Sequence, residues 1–250
     1  MVKALAFCVA RLWMGYLALC RRTSHFELSE SAEASLAESW DLRIPTIFVF
    51  WQDESLLTGL LAQVERLRWP VRPLPSGFWG QVAERCWSEG GAPTLHVPNG
   101  MSWDMRQRTL ARGLWAHRRI LMPADEGKPR YAVRPMAWQL ARGSQGCLVA
   151  LHVEAPGAQK LFGQYLPLPF SEYRLQLSEP YLAEASLEVT RRTLKESLDG
   201  LRRPASLSPP THDGTLELEP EFPGVNAAEL PEPPQTDLAY VHGRQRSSRA

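Results

Sequence analysis

Gln52, Asp53, Glu54 and Ser55 stand together immediately after an apolar run, Ile44 to Trp51. An amide, two carboxylates and a hydroxyl at one point of the chain can do two kinds of work. If burial raises the pKa of Asp53 or Glu54, either can act as a general base toward an acceptor hydroxyl. Alternatively, Asp53 or Ser55 caps a helix by accepting a backbone N–H of its first turn. Because Asp53 and Glu54 adjoin rather than flank a site, they argue against glycosidase-type paired carboxylates. A second polar stretch, Asp125 to Arg130, carries Lys128 and Arg130, with Arg134 just beyond; such cations can hold a phosphate. His96, His117 and His152 are further proton-transfer candidates, each also readable as an ordinary hydrogen-bonded residue. No serine nucleophile elbow, Walker loop or G-x-G-x-x-G is present. Cys8, Cys20, Cys86 and Cys147 show no C-x-x-C or Cys/His spacing, so neither a metal site nor a disulfide framework is expected, and no cofactor is implied.

The elements around these residues read as an α/β domain. Ile44, Ile47, Phe48, Val49, Phe50 and Trp51 are β-branched or aromatic and predict a buried strand. Leu56, Leu57, Leu60, Leu61 and Val64 then recur at helical spacing and predict a core-facing helix. Asp53 to Ser55 therefore lie between a strand end and a helix start, where α/β folds expose backbone N–H groups to ligands. Ser29 to Glu38 reads as a linker or a short solvated helix. Residues 69–77, with three prolines and a glycine, read as an irregular loop. Further elements follow as a helix from Phe78 to Trp87, a strand from Thr94 to Val97, a turn at Pro98 to Gly100, and a helix from Trp103 to His117. Ile120 to Met122, the polar loop, a helix around Val133 to Ala141 and a strand from Cys147 to Val153 form a βαβ unit and imply a parallel sheet. Leu161 to Pro169 reads as a second Pro-rich loop, Tyr173 to Leu177 as an edge strand and Leu187 to Leu201 as the last helix.

Residues 4–20 are apolar apart from Arg11, and four readings compete for them. A spanning helix needs roughly 20 apolar residues and would set Arg11 at the bilayer centre. A secretory or lipoprotein signal would need a small residue where Leu19 precedes Cys20. The other two are a helix lying in the membrane interface, with Arg11, Arg21 and Arg22 on anionic headgroups, and a helix packed on the core. Nine tryptophans among 250 residues suit surfaces that are apolar on one side and wet on the other. A net charge of +1 gives no bulk attraction to nucleic acid. The chain thus divides into an N-terminal apolar helix (1–22), an α/β domain (23–202) and a tail (203–250) that is disordered by composition, being rich in Pro and Glu.

The order of apolar helix, strand ending in Phe50-Trp51, Pro-rich loop and the block from Pro123 to Pro135 resembles the lysophospholipid acyltransferase superfamily over residues 1 to 200. It looks closest to the bacterial branch whose strand ends in Phe-Trp-His and whose later loop reads PDGPRGP, followed by Lys-Pro-Gly. The resemblance implies an α/β fold with a mostly parallel sheet. It also implies acyl transfer from acyl-CoA or acyl-carrier protein to a lysophospholipid-like hydroxyl, at the cytoplasmic face of the inner membrane, with no nucleic acid involved. In that family the histidine is the base, and Gln52 stands in its place; a glutamine amide takes no proton near neutral pH. Ala124 replaces the aspartate, Asp125 a glycine, Gly127 the arginine and Met136 the last glycine, with Arg134 in place of the lysine.

Two functions follow as expectations. The first is an acyltransferase-like enzyme with Asp53 or Glu54 as base, and with substrate or phosphate held by Trp51, Gln52, Lys128, Arg130 and Arg134. The second is a non-catalytic lipid-binding or scaffold protein of the same fold. A nucleotide-binding regulator would rest on the basic loop alone.

Overall fold

The computed structural model describes residues 2–41, 44–61, 70–75, 77–89, 91–98, 100–125, 130–161 and 163–202. Lys128 and the stretch 203–250 lie outside the described residues.

A mostly parallel sheet forms the centre. Its strands are β1 (His25–Leu28), β2 (Thr46–Phe50), β5 (Arg119–Pro123), β6 (Cys147–Glu154) and β9 (Glu172–Leu177), in the order β1-β9-β6-β2-β5, and the short β10 (Tyr181–Leu182) also pairs with β6. β2 runs parallel to both β5 and β6, as the βαβ reading predicts, whereas β9 is antiparallel to β6. Two strands, β3 (Arg72–Pro75) and β4 (Thr94–Val97), pair in parallel with each other, and a bridge from Val71 to Ile120 sets them beside β5.

Side-chain alternation divides the core in two. Phe48 and Phe50 of β2, with Val149, Leu151 and Val153 of β6, face α1 (Val2–Thr23), α2 (Glu30–Asp41), α3 (Thr58–Leu61) and α4 (Phe78–Glu89). Ile47, Val49 and Trp51, with Leu148 and Ala150, face α5 (Trp103–His117), α6 (Pro135–Ser144) and α7 (Leu187–Arg202). Because β2, β5 and most of β6 are covered on both faces, they read as nearly continuous hydrophobic runs, whereas β9 alternates polar and buried apolar residues.

Several expectations are corrected. The stretch around Ser29 to Glu38 is not solvated: in α2, Ala32 and Leu36 are buried. The Pro-rich segment contains strand β3. Val71 exchanges backbone bonds with β5, while Arg72 donates to Pro93 on the β4 side. Since bonding sides alternate along a parallel strand, Pro73 and Pro75 turn their missing N–H toward β5, where pairing is limited to Val71. Residues 159–166 hold a small hairpin, β7 (Gln159–Leu161) and β8 (Gln164–Leu166), rather than a plain loop. The Tyr173–Leu177 strand is internal, since β1 pairs along its outer side. After Trp51 the chain makes a 3-10 turn over Gln52–Glu54 before α3, so the expected helix is broken at its start.

α1 docks on the domain along one face. Leu17 and Cys20 join the first core, Ala6 and Ala10 pack with Val82 of α4, and the Tyr16 hydroxyl donates to the Pro167 carbonyl at 2.5 Å.

Candidate functional site

β2, β5, β3 and β4 all end on one edge of the sheet, and the polar residues after β2 and β5 meet there. The 3-10 turn aims Asp53 and Glu54 inward, where they are 3% and 1% exposed. Two charges at that depth need partners. Asp53 Oδ2 accepts from the Tyr131 hydroxyl at 2.8 Å and pairs with Lys160 Nζ at 3.0 Å, while Oδ1 pairs with Arg202. Glu54 Oε1 lies 2.9 Å from Arg202 Nε and 3.0 Å from His152 Nδ1, and Oε2 accepts from the Val153 N–H at 3.3 Å. Every carboxylate oxygen therefore carries a donor.

The cations are shaped by the same contacts. Burial alone would lower the Arg202 pKa, but Glu54 and Asp53 outweigh it and hold the guanidinium above its ordinary value. Lys160 follows the same logic, with burial offset by Tyr131 and Asp53. Aromatic faces complete the enclosure, the Arg202 guanidinium lying 5.1 Å from the Tyr131 ring centre and Lys160 Nζ 4.4 Å from that of Tyr165.

Asp125 ties the two loops together. Its Oδ1 accepts from the Gln52 N–H and its Oδ2 from the Tyr131 N–H, both at 2.7 Å. Burial pushes this carboxyl up, and the two N–H donors oppose the shift. Tyr131 itself is held at φ 61°, a left-handed conformation that turns its ring toward Asp53 and edge-on to Trp51. Trp51 is fully buried in the second core and lines no open groove.

The basic residues expected to act together are separated. Arg130 is exposed and donates to the Gly163 carbonyl of the β7–β8 turn at 3.3 Å. Arg134 instead precedes α6 as its N-cap residue, with Pro135 at the first helical position. There it lines a cavity of about 220 Å³ with Arg106 and Trp103 of α5, Met122 of β5 and Met136 of α6. A lining that combines two arginines with apolar side chains suits an anion that carries a hydrocarbon portion.

Of the described histidines, only His152 is bonded to the carboxylates. His96 lies on β4, three strands from β2 and so roughly 14 Å away at ordinary strand spacing. It lines a larger, shallower hollow of about 440 Å³ with Gln81, Glu84 and Arg85 of α4, away from the strand-end chemistry. His117 ends α5 just before β5 begins, at the opposite edge of the sheet. The residues missed in the sequence are Arg202, Lys160, Tyr131 and Arg106. Tyr131 lies within the Pro123 to Pro135 block but as a residue given no role there, the other three belong to no short motif, and Arg202 meets its partners across 148 and 149 residues of chain.

Among the described residues, no group of three or more His, Cys, Asp and Glu side chains could hold a metal ion. Comparison with protein families, curated proteins and solved structures finds no match for this chain.

Proposed function

We propose that this chain is a non-catalytic relative of the lysophospholipid acyltransferases, holding an anionic, lipid-like ligand at the C-terminal edge of its sheet without transferring an acyl group. The observation that carries this reading is the Arg202 clasp on Asp53 and Glu54. A general base must be open to the acceptor, coming within about 2.6–3.2 Å of its hydroxyl. Here both carboxylates are almost wholly buried, each of their four oxygens already holds a donor from Arg202, Lys160, Tyr131, His152 or the Val153 N–H, and the neighbouring Gln52 is an amide. The cavity between Arg106 and Arg134 supplies a place for a phosphate beside an apolar wall.

The rival reading keeps the acyl transfer and uses Asp53 or Glu54 as base, with acyl-CoA or acyl-carrier protein as donor. Both are tested by assaying the purified protein with those donors and a panel of lysophospholipids, beside Gln52→His, while measuring lysophospholipid binding to the wild type, Arg106→Ala and Arg134→Ala. The non-catalytic reading expects no turnover in the wild type, measurable binding, and a loss of about tenfold for each arginine variant. Wild-type turnover abolished by Asp53→Ala or Glu54→Ala would overturn it in favour of the enzyme.

A further inference from the structure

α1 buries one face against the domain and leaves its other face apolar. Leu5, Leu12 and Leu19 are 59%, 76% and 48% exposed. They recur every seven residues, so at 100° per residue they form one line along the helix. Arg11 and Arg22 are exposed roughly a quarter-turn round the helix from that line, and Val2–Thr23 contains no acidic residue. At the C-terminal end of the helix, Thr23 Oγ1 accepts from the Phe170 N–H at 3.2 Å, which ties the 80% exposed Phe170 to that end of α1. Among the described residues, no helix is long and apolar enough to cross a membrane.

We infer that the outer face of α1 docks in the plane of an anionic lipid surface, with Leu5, Leu12, Leu19 and Phe170 entering the acyl boundary and Arg11 and Arg22 meeting lipid phosphates. A helix lying in the interface needs this combination: a leucine line that gains from leaving water, and a basic edge that gains from anionic headgroups. Charge decides against a second copy of the chain as occupant. Two α1 helices paired across their leucine lines would bring Arg11 and Arg22 toward their own copies, with no acidic residue on either helix to compensate. The exposed strip is also one residue wide, on the order of a few hundred Å², whereas a stable dimer buries about 800 Å² per partner. This inference concerns a different face from the Arg106–Arg134 cavity and stands whether or not that cavity takes a ligand.

The test is co-sedimentation of the full chain with vesicles of phosphatidylcholine alone and of phosphatidylcholine with about one-third phosphatidylglycerol. Binding is expected to the anionic vesicles and to weaken with added salt. Leu12→Glu should reduce it at least tenfold, and Arg11→Ala and Arg22→Ala by about fivefold each. Because Leu12, Arg11 and Arg22 are exposed, the variants should retain the wild-type circular dichroism spectrum. Absence of binding to anionic vesicles, or binding unchanged by Leu12→Glu and by the arginine variants alike, overturns the proposal. So does a wild type that is dimeric by sedimentation and becomes monomeric in Leu12→Glu without ever binding vesicles, which assigns the face to a second copy.

Discussion

Arg202 Nε sits 2.9 Å from Glu54 Oε1, joining the last turn of α7 to the turn that follows the central strand across 148 residues of chain. The same guanidinium reaches Asp53, so one side chain bridges two buried carboxylates, with Lys160 supplying the second positive charge. This makes α7 a clasp for the strand-end loop as well as a cover for the second core, where Leu194 and Leu198 pack.

Removing that cation should therefore be costly. Arg202→Ala leaves two carboxylates at 3% and 1% exposure with Lys160 as their remaining full charge, and breaking a buried pair from one side costs about 3–5 kcal/mol. Chemical denaturation of the wild type and variant checks this. A loss below about 1 kcal/mol would mean that water solvates the carboxylates once the arginine is gone.

Asp125 performs a comparable task with a different currency of interaction, two backbone N–H groups instead of a cation. Asp125→Ala leaves the Gln52 and Tyr131 N–H donors without their acceptor, at about 1–3 kcal/mol each. Asp125→Asn keeps a single amide oxygen and should recover part of that loss. Equal stability of the Ala and Asn variants, measured by denaturant midpoint, would show that the two N–H bonds contribute nothing separable.

The central strand and its neighbours were legible because their information is local. Ile47 to Trp51 is β-branched or aromatic at every position and Cys147 to Leu151 is apolar throughout, a run that suits a strand buried on both faces. The doubly covered, mostly parallel sheet follows from that pattern and from the helices between the strands. The site was legible in place but not in chemistry. Asp53 and Glu54 are visible as carboxylates at a strand end, yet whether they are free or clasped depends on Arg202, Lys160 and His152, which arrive from three distant elements. Arg134 looked like part of the same loop as Arg130, and α6 carries it instead to the α5 side, since its backbone N–H is tied to Ala124. β3 was hidden because prolines punctuate most sequences as loops, whereas here both fall on the side of the strand that needs few donors.

The docking of α1 gives a pH dependence. Burial pushes the Tyr16 phenol up to about 12, with the nearby Cys20 adding to the shift. An unfolded tyrosine titrates near 10. Below pH 10 both states keep the proton and the Tyr16 contribution to stability is fully present. Between pH 10 and about 12 only the unfolded state ionises, so that contribution is lost as pH rises. Tyr173 and Tyr181 are raised by burial too and act in the same direction. Tyr16→Phe should flatten part of the fall in stability over this window, followed by denaturation at several pH values. An unchanged slope in the variant would place the titration on the other two tyrosines.

The turn between α6 and β6 fixes the register of the sheet, and it leaves no room for a side chain. Gln145 is held at φ 52°, and the next N–H, that of Gly146, bonds to the Ala141 carbonyl at 2.8 Å, the usual closure of a helix by a left-handed residue. A Cβ on Gly146 would lie 2.4 Å from the Pro45 carbonyl oxygen and 2.8 Å from Ser144 Oγ. The first of these is backbone at the entry of β2, and Cys147 donates to that same oxygen at 2.9 Å. Gly146→Ala must therefore push β2 and β6 apart or distort the turn, at about 1–3 kcal/mol. Gln145→Gly changes the neighbouring position in the opposite sense, relieving the left-handed strain by about 1 kcal/mol. Thermal unfolding of the two variants should move to opposite sides of the wild type. A Gly146→Ala protein as stable as the wild type would mean that the Pro45 peptide can rotate away without disturbing the β2–β6 pairing.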